Sequence, residues 1–425
     1  MAKKKSPASK GAAPGNGGTG YKWPDEGFTV IPDWVYTSDE IYARELELIF
    51  EGPTWNFVGL EAEIPNPGDF RRTHAGARPV VMVRDADGAV RVVENRCAHR
   101  GAELCRPLSG SVKEFMCPYH QWTYDLAGNL IGVPFRRGLD GEGGMTDDFR
   151  NEEHGLRKLQ VTTRNGVVFA SYSDAVEPLE DYLGAEMIET FDQTFDGREI
   201  RILGYYRNTI PSNWKSYHEN LKDPYHATLL HAYLVTFGLF RAGQRSAMIV
   251  DEVGRHGVIA SARGDEPEIK AETRELKAFR EDMVLQDGRI MDLVDEFEGP
   301  WTVTMQTIWP NFIVQRELNT LGTRRIVPKG PHAFDLHWTM FGYAADDDEM
   351  TRHRLRQGNL MGPSGFLGAE DGEALQFVQD GLRHSLPSQA FIGLGGTEEG
   401  TSTSPISESA LRSMYRYYSE VMGLR

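Results

Sequence analysis

The sequence predicts an α+β protein: a small antiparallel β-domain set early in the chain, then a larger domain in which a sheet is flanked by helices. Three observations predict it. The chain has 425 residues, long for one core and suited to two domains. Between about Trp55 and Ser173, short Val-rich runs (PVVMVRD, AVRVVEN, GVVFASY) alternate with turn signals such as Asp87-Gly88 and Ala127-Gly128-Asn129, the pattern of consecutive short strands. After Pro178 the texture changes to longer mixed segments of helical and strand-like character, as in a sheet with helices packed on it.

Residues 1–20 (MAKKKSPASKGAAPGNGGTG) read as a disordered tail. The basic start leads into no apolar stretch, so it does not read as a signal peptide, and Lys3, Lys4 and Lys5 read as solvated rather than as a membrane tether. Residues 21–54 form a segment expected to pack on the second domain, with a short amphipathic helix from about Tyr42 to Phe50 (YARELELIF). Residues 55–173 are the β-domain and 174–425 the second domain. Within the latter, helices are expected near 213–238 and 268–297, strands at 302–309 and 334–344, and helices at 349–361 and 407–422. The acidic run Asp346-Asp347-Asp348-Glu349 is expected to be a solvated loop entering a helix N-terminus, where carboxylates suit the dipole.

Composition narrows the function class. Hydrophobic residues make up 40% and charged residues 25% of the chain, as in an ordinary globular protein. The balance of 46 Lys+Arg against 62 Asp+Glu, a net charge of −16, argues against a nucleic-acid backbone as partner. It leaves room for a local basic patch that docks an acidic redox protein. No apolar run is long enough to span a bilayer. Three cysteines, Cys97, Cys105 and Cys117, cannot pair completely and are no disulfide framework, so the cytoplasm is the expected compartment and thiolates remain available for metal.

Two ligand pairs stand in the β-rich region: Cys97-Ala-His99 and Cys117-Pro-Tyr-His120, separated by the 17 residues 100–116. Thiolate with imidazole suits zinc or an iron–sulfur cluster. A zinc finger groups its cysteines together and its histidines together, whereas each loop here carries one of each. That arrangement fits a Rieske [2Fe–2S] centre, in which two cysteines hold one iron and two histidines the other. Arg100-Gly101 follows one pair and Gln121-Trp122 the other. Cys105 stands outside the pattern and reads as a small buried hydrophobe.

A second constellation lies in NWKSYHENLKDPYHATLLH, where Asp223, His226 and His231 follow one another. Two histidines and a carboxylate on one face of an iron leave positions open for O2 and substrate. Residues i and i+5 of a regular helix point about 140° apart. The helix must therefore be distorted, by a π-type turn or by unwinding at His231, and Pro224 marks a break or a first turn. Spacing alone does not find the third ligand; Glu370, Asp371 and Glu373 are the candidates.

Over residues 22–425 the chain resembles the large (alpha) subunits of Rieske non-haem iron ring-hydroxylating oxygenases, above all the salicylate hydroxylases and then terephthalate dioxygenase. The stretches that carry this are VGLEAEIPNPGDFRRT, ENRCAHRGAELC, CPYHQWTYDLAGNLIGVPFRRG, EEHGLRKL, NWKSYHENLKDPYHATLLH, GPSGFLGAEDGEA and SESALRSMYRYYSEVMG. The resemblance implies a Rieske β-domain followed by a helix-grip-like (START-like) antiparallel-sheet catalytic domain, assembled as α3 or, with a small β subunit, α3β3. It implies that Cys97, His99, Cys117 and His120 hold the cluster, and that His226, His231 and Asp371 hold a mononuclear Fe(II). Asp223 is implied to bridge His120 of one subunit to His226 of its neighbour, fixing both imidazoles.

The implied reaction is hydroxylation of a salicylate-like aromatic carboxylate with O2, electrons passing from NADH through a reductase and a ferredoxin. Arg324 and Arg412 are the candidates for the substrate carboxylate, which guanidinium binds bidentately. Arg325 replaces Arg324 if the strand register differs by one. The alternatives are dioxygenation of a terephthalate-, benzoate- or anthranilate-type ring to a cis-dihydrodiol, dealkylation on the same iron, and a non-enzymatic electron carrier or zinc-stapled module.

Overall fold

The computed structural model describes residues 20–241, 243–263, 271–384, 386 and 388–425. The expected tail therefore lies, Gly20 apart, outside the described residues. Among the described residues no helix is long and apolar enough to cross a membrane.

The Val-rich runs form strands as their patterning dictates. Arg78–Arg84 sits between Val90–Glu94 and Asp69–Ala75 in a four-stranded antiparallel sheet that Ser109–Ser111 completes. Asp87-Gly88 turns the chain between two of these strands, with Gly88 at φ +84°, where a side chain is disfavoured. Val167–Ser171 is buried at all five positions. It pairs with Gln160–Arg164 and Asn56–Leu60, and its continuous apolar run fits a strand covered on both sides. A small sheet of Phe115–Met116, Thr123–Tyr124 and Leu130–Gly132 stands apart.

The larger unit is built on seven antiparallel strands. Their order is Ile200–Ile210, Phe334–Tyr343, Thr320–Pro328, Phe312–Glu317, Val303–Ile308, Gly257–Ser261 and Ser246–Val250. Alternation sorts its side chains to two faces. Register places Trp338, Arg324, Gly322, Gln315, Glu317, Met305, Val303, Ile259 and Ser261 on one face. Phe312 and Arg325 share the other face, where Phe312 stacks on Phe57 at 4.0 Å. There Arg325 donates to the Val58 carbonyl at 2.8 Å. Arg325 thus ties the β-rich part to the sheet, and Arg324 points the opposite way.

Residues from Trp23 to Phe50 pack against Trp214, Tyr415 and Tyr418. The helix expected from Tyr42 runs Asp39–Glu45 and continues as a wider π-type turn over Leu46–Phe50. Glu45, fully buried, accepts from Lys215 Nζ at 2.5 Å, Trp214 Nε1 at 2.7 Å and Tyr418 Oη at 2.6 Å. A buried carboxylate persists only when paired in this way, and here the pairing joins three distant parts of the chain.

Two expectations need correction. Between 268 and 297 the described residues carry only the helical turns Ala271–Glu275 and Gly288–Met291. The apolar residues of this stretch do not hold one face: Val284 is exposed, while Met291 is buried among Tyr233, Leu239 and Leu318 with Leu285 and Ile290 half-buried beside it. In the acidic run, Asp347 caps the helix Asp348–Met361 as expected. The side chain of Asp346, however, is turned in against Arg354 at 2.7 Å, and Arg354 also meets Glu296 at 2.9 Å.

Candidate metal centres

The Cys-His loops share one backbone plan. Cys97 N–H donates to the Ala102 carbonyl and Gly101 N–H to Cys97 O, at 2.8 and 2.9 Å. Cys117 N–H donates to Trp122 O and Gln121 N–H to Cys117 O, at the same distances. Each loop closes through a residue in the left-handed region, Gly101 at φ +75° and Gln121 at φ +57°. Glycine reaches this region freely and Gln121 at a cost. The closure turns both pairs inward to face each other: the His99 and His120 rings lie 4.6 Å apart. Cys97 and Cys117 are buried, while both imidazoles are partly exposed.

The donor set fits a two-iron cluster. His99 Nδ1 is buried with no hydrogen-bond partner, as expected of a nitrogen whose partner is a metal. Tyr124 Oη lies 3.3 Å from Cys97 Sγ, a hydroxyl placed to tune the sulfur. A single tetrahedral zinc would hold its four donors roughly 3.3–3.8 Å apart. Among the described residues, the group of three or more such ligands within 4.8 Å of one another is His226, His231 and Asp371, and these two loops do not form one. The wider spacing suits two irons rather than one zinc. Cys105 lies apart and buried, its thiol pushed up to about 11 by desolvation.

The second centre forms where a helix ends. Asp223 caps Pro224–Leu230, its carboxylate accepting from Tyr225 N–H at 2.9 Å, with Pro224 in the first turn. The helix stops before His231, which is extended at φ −86°, ψ 91°. Unwinding, not a π-type turn, brings the fifth residue round, and the two imidazole centroids lie 5.2 Å apart. Asp371 comes from the helix Phe366–His384. Its Oδ1 lies 3.2 Å from His231 Nε2 and 3.6 Å from His226 Nε2, and Asn220 Nδ2 donates to it at 3.0 Å.

Tautomers follow from the outer partners. His226 Nδ1 donates to the Asp223 carbonyl, and His231 Nδ1 donates to Glu370 Oε2 at 2.8 Å. Both Nε2 lone pairs therefore face inward toward Asp371, as a metal requires, and Asn220 Nδ2 lies 3.2 Å from that of His226. Glu370, one of three candidates for third ligand, instead orients His231. Burial alone would depress the His226 imidazole, yet its carboxylate partners raise it to about 10. Burial likewise works against the Asp371 carboxylate, and the two imidazoles hold it well below the usual range. The trio favours positive charge at its centre, which a divalent cation supplies in place of protons.

A cleft of about 750 Å³, its open mouth included, reaches from this trio to the sheet face described above. Its walls are mainly apolar, with Leu234, Phe240, Ile259, Met305 and Leu367 among them. Arg324 is the one arginine or lysine among the described residues lining it. Its Nη1 donates to Tyr217 Oη at 2.6 Å and its Nε to Gln315 Oε1 at 3.2 Å, and the guanidinium lies 4.1 Å over Trp338. Arg412 is not in the cleft. It is buried on the helix Ser409–Met422, donating to the carbonyls of Glu398 and Ile392, both at 2.7 Å, so it clasps a loop instead of a substrate. Glu317, Tyr217 and Asn220 were not singled out from the sequence.

Residues 54–141 match the family described as "Rieske [2Fe-2S] domain", and 193–424 match "Ring hydroxylating alpha subunit (catalytic domain)". The chain is 48% identical to the large oxygenase component of salicylate 5-hydroxylase from Ralstonia sp. (95% of this chain, 96% of that one). It is 44% identical to the anthranilate 1,2-dioxygenase large subunit of Burkholderia cepacia (94% and 95%). It is 39% identical to terephthalate 1,2-dioxygenase terminal oxygenase component subunit alpha 2 of Comamonas sp. (95% and 97%). Naphthalene 1,2-dioxygenase from Rhodococcus sp. shares the fold, with a TM-score of 0.76 at 22% identity over 92% of this chain and 94% of that one.

Proposed function

We propose that this chain, which belongs to the Rieske ring-hydroxylating oxygenase alpha subunits, hydroxylates a salicylate-like aromatic carboxylate with O2, its electrons coming from NADH through a reductase and a ferredoxin. The observation that carries the substrate class is the guanidinium of Arg324 in an apolar cleft that also opens on His226, His231 and Asp371. An apolar ring fits such walls, and a carboxylate fits the guanidinium.

In this reading residues 55–173 carry the cluster, on Cys97, His99, Cys117 and His120. Residues 174–425 carry the mononuclear iron, on His226, His231 and Asp371. When bound, the cluster supplies electrons singly and the iron supplies the activation of O2. The chain's own groups do the rest. Arg324 fixes the carboxylate and so selects the carbon presented to the metal trio, while the apolar walls exclude water from the ring. Glu370 and the Asp223 carbonyl hold the Nδ1 protons of His231 and His226 and keep both Nε2 atoms aimed inward. The Asp223 carboxylate keeps 24% of its side-chain surface exposed with Oδ2 3.6 Å from His226 Nδ1. It is free on that side to accept from His120 of a neighbouring copy in an α3 or α3β3 assembly.

The test is mass-spectrometric product identification after incubating the iron-loaded protein, a ferredoxin–reductase pair and NADH with salicylate, benzoate, anthranilate and terephthalate. A salicylate product one oxygen heavier supports the reading. No product from any carboxylate, with intact cluster spectra and working electron supply, rejects the substrate class. The dioxygenase relatives favour one second reading, conversion of an anthranilate- or terephthalate-type ring to a cis-dihydrodiol, and product mass separates it: two oxygens and two hydrogens gained.

A further inference from the structure

The cleft holds a carboxylate that the proposed reaction leaves without a task. Glu317 stands on the same sheet face as Arg324, at the end of Phe312–Glu317, and both line the cleft. Glu317 Oε2 lies 3.7 Å from Arg324 Nη2, beyond hydrogen-bond length. Gln315 Nε2 donates to that same oxygen, and among the described residues Oε1 receives no such bond. Gln315 also donates to the Met361 carbonyl at 3.2 Å and accepts from Arg324 at 3.2 Å. Gln315 therefore holds the two charged groups side by side but apart.

Charge bookkeeping gives the arrangement a consequence. Arg324 and Glu317 together are neutral. A bare benzoate seated on Arg324 would place two carboxylates about one guanidinium in a buried cleft, where like charges repel strongly. A ligand relieves this if it brings an N–H or O–H to Glu317. The closeness of the two side chains matches substituents on adjacent ring carbons. A second carboxylate across the ring would need a second cation, and the described lining offers only Arg324.

Building on the carboxylate reading above, we propose that Glu317 is a second polar subsite, accepting a hydrogen bond from a hydroxyl or amino group ortho to the carboxylate held by Arg324. The cleft thereby selects ortho-hydroxy and ortho-amino aromatic carboxylates over unsubstituted or para-dicarboxylate rings. Burial pushes the Glu317 carboxyl upward, so a donor from the ligand also stabilises its ionised form.

Titration calorimetry on the holoenzyme tests this with salicylate, anthranilate, benzoate and 2-methoxybenzoate, the last lacking the donor. Wild type is expected to bind salicylate and anthranilate roughly tenfold to a hundredfold more tightly than the other two, the worth of one hydrogen bond to a charged group. In Glu317→Leu that ratio falls to within about threefold, with benzoate bound no more weakly than in wild type. Glu317→Gln serves if the leucine variant does not fold: it keeps an acceptor but loses the charge, so benzoate should tighten. A ratio unchanged in Glu317→Leu, benzoate bound no more tightly in Glu317→Gln, or a wild type that does not discriminate overturns the Glu317 subsite while leaving the carboxylate reading in place. Carboxylate binding that survives Arg324→Met undiminished overturns the Arg324 assignment and the subsite with it.

Discussion

Arg324→Met keeps an unbranched stem against Trp338 and removes the only guanidinium among the described residues lining the cleft. In the native chain that group gives hydrogen bonds to Tyr217 and Gln315 and faces Glu317 at 3.7 Å. Truncating one member of a buried, hydrogen-bonded charge pair costs about 2–5 kcal/mol. A bound carboxylate loses its partner on that scale, so Kd for salicylate should rise roughly 30- to 5,000-fold. Part of the cost falls on the free protein, because Glu317 is left buried without its cation. The double variant Arg324→Met/Glu317→Gln separates the two effects: it should recover stability without recovering affinity. Calorimetry reports Kd, and kcat/KM from product formation should fall by at least as much. Iron content should match wild type, since Arg324 makes no hydrogen bond to His226, His231 or Asp371. A change in Kd under about threefold, with iron intact, would refute the role given to Arg324.

Further outcomes are expected elsewhere. Glu370→Gln weakens the orienting bond to His231 Nδ1 and should lower mononuclear iron affinity about 10- to 100-fold, read by iron titration, with cluster absorbance unchanged. Glu45→Ala strands Lys215, fully buried at 2.5 Å from it, and should destabilise by about 3–5 kcal/mol, seen as a lower thermal midpoint at equal iron content. Burial, aided by the charge of Lys222, depresses the His218 imidazole to about 3. The unfolded chain then binds the extra proton, so this stability is fully present above about pH 6.5 and is lost as pH falls toward about 3, at about 1.4 kcal/mol per pH unit. Urea midpoints between about pH 7 and about pH 5 should fall less steeply in His218→Gln than in wild type, and identical slopes would dismiss His218 as a contributor.

Legibility in the sequence tracked how locally each feature is encoded. Cys97 with His99 and Cys117 with His120 are pairs a few residues apart whose loops close on themselves, so their spacing already carries the geometry. His226 and His231 were legible as a pair, and their i, i+5 spacing required the unwinding found at His231. Spacing alone did not separate Glu370 from Asp371, which the family resemblance named, because neighbours on a helix point about 100° apart and only the approach of His231 decides which one faces the trio. Arg324 against Arg325 was a question of strand parity, settled by register. Arg412 could not be placed, since its partners are carbonyls of a loop whose path no local pattern encodes. The stretch 268–297 is rich in helix-forming residues, but its apolar side chains share no common face and propensity alone does not hold a helix.

Iron and acid-labile sulfide per chain, measured on purified wild type and Asp371→Ala, test the two-centre assignment most directly. Wild type should carry about three irons and about two sulfides. The variant should keep its sulfide and visible absorbance and fall to about two irons. Zinc without sulfide in wild type, or sulfide lost together with Asp371, would contradict the assignment.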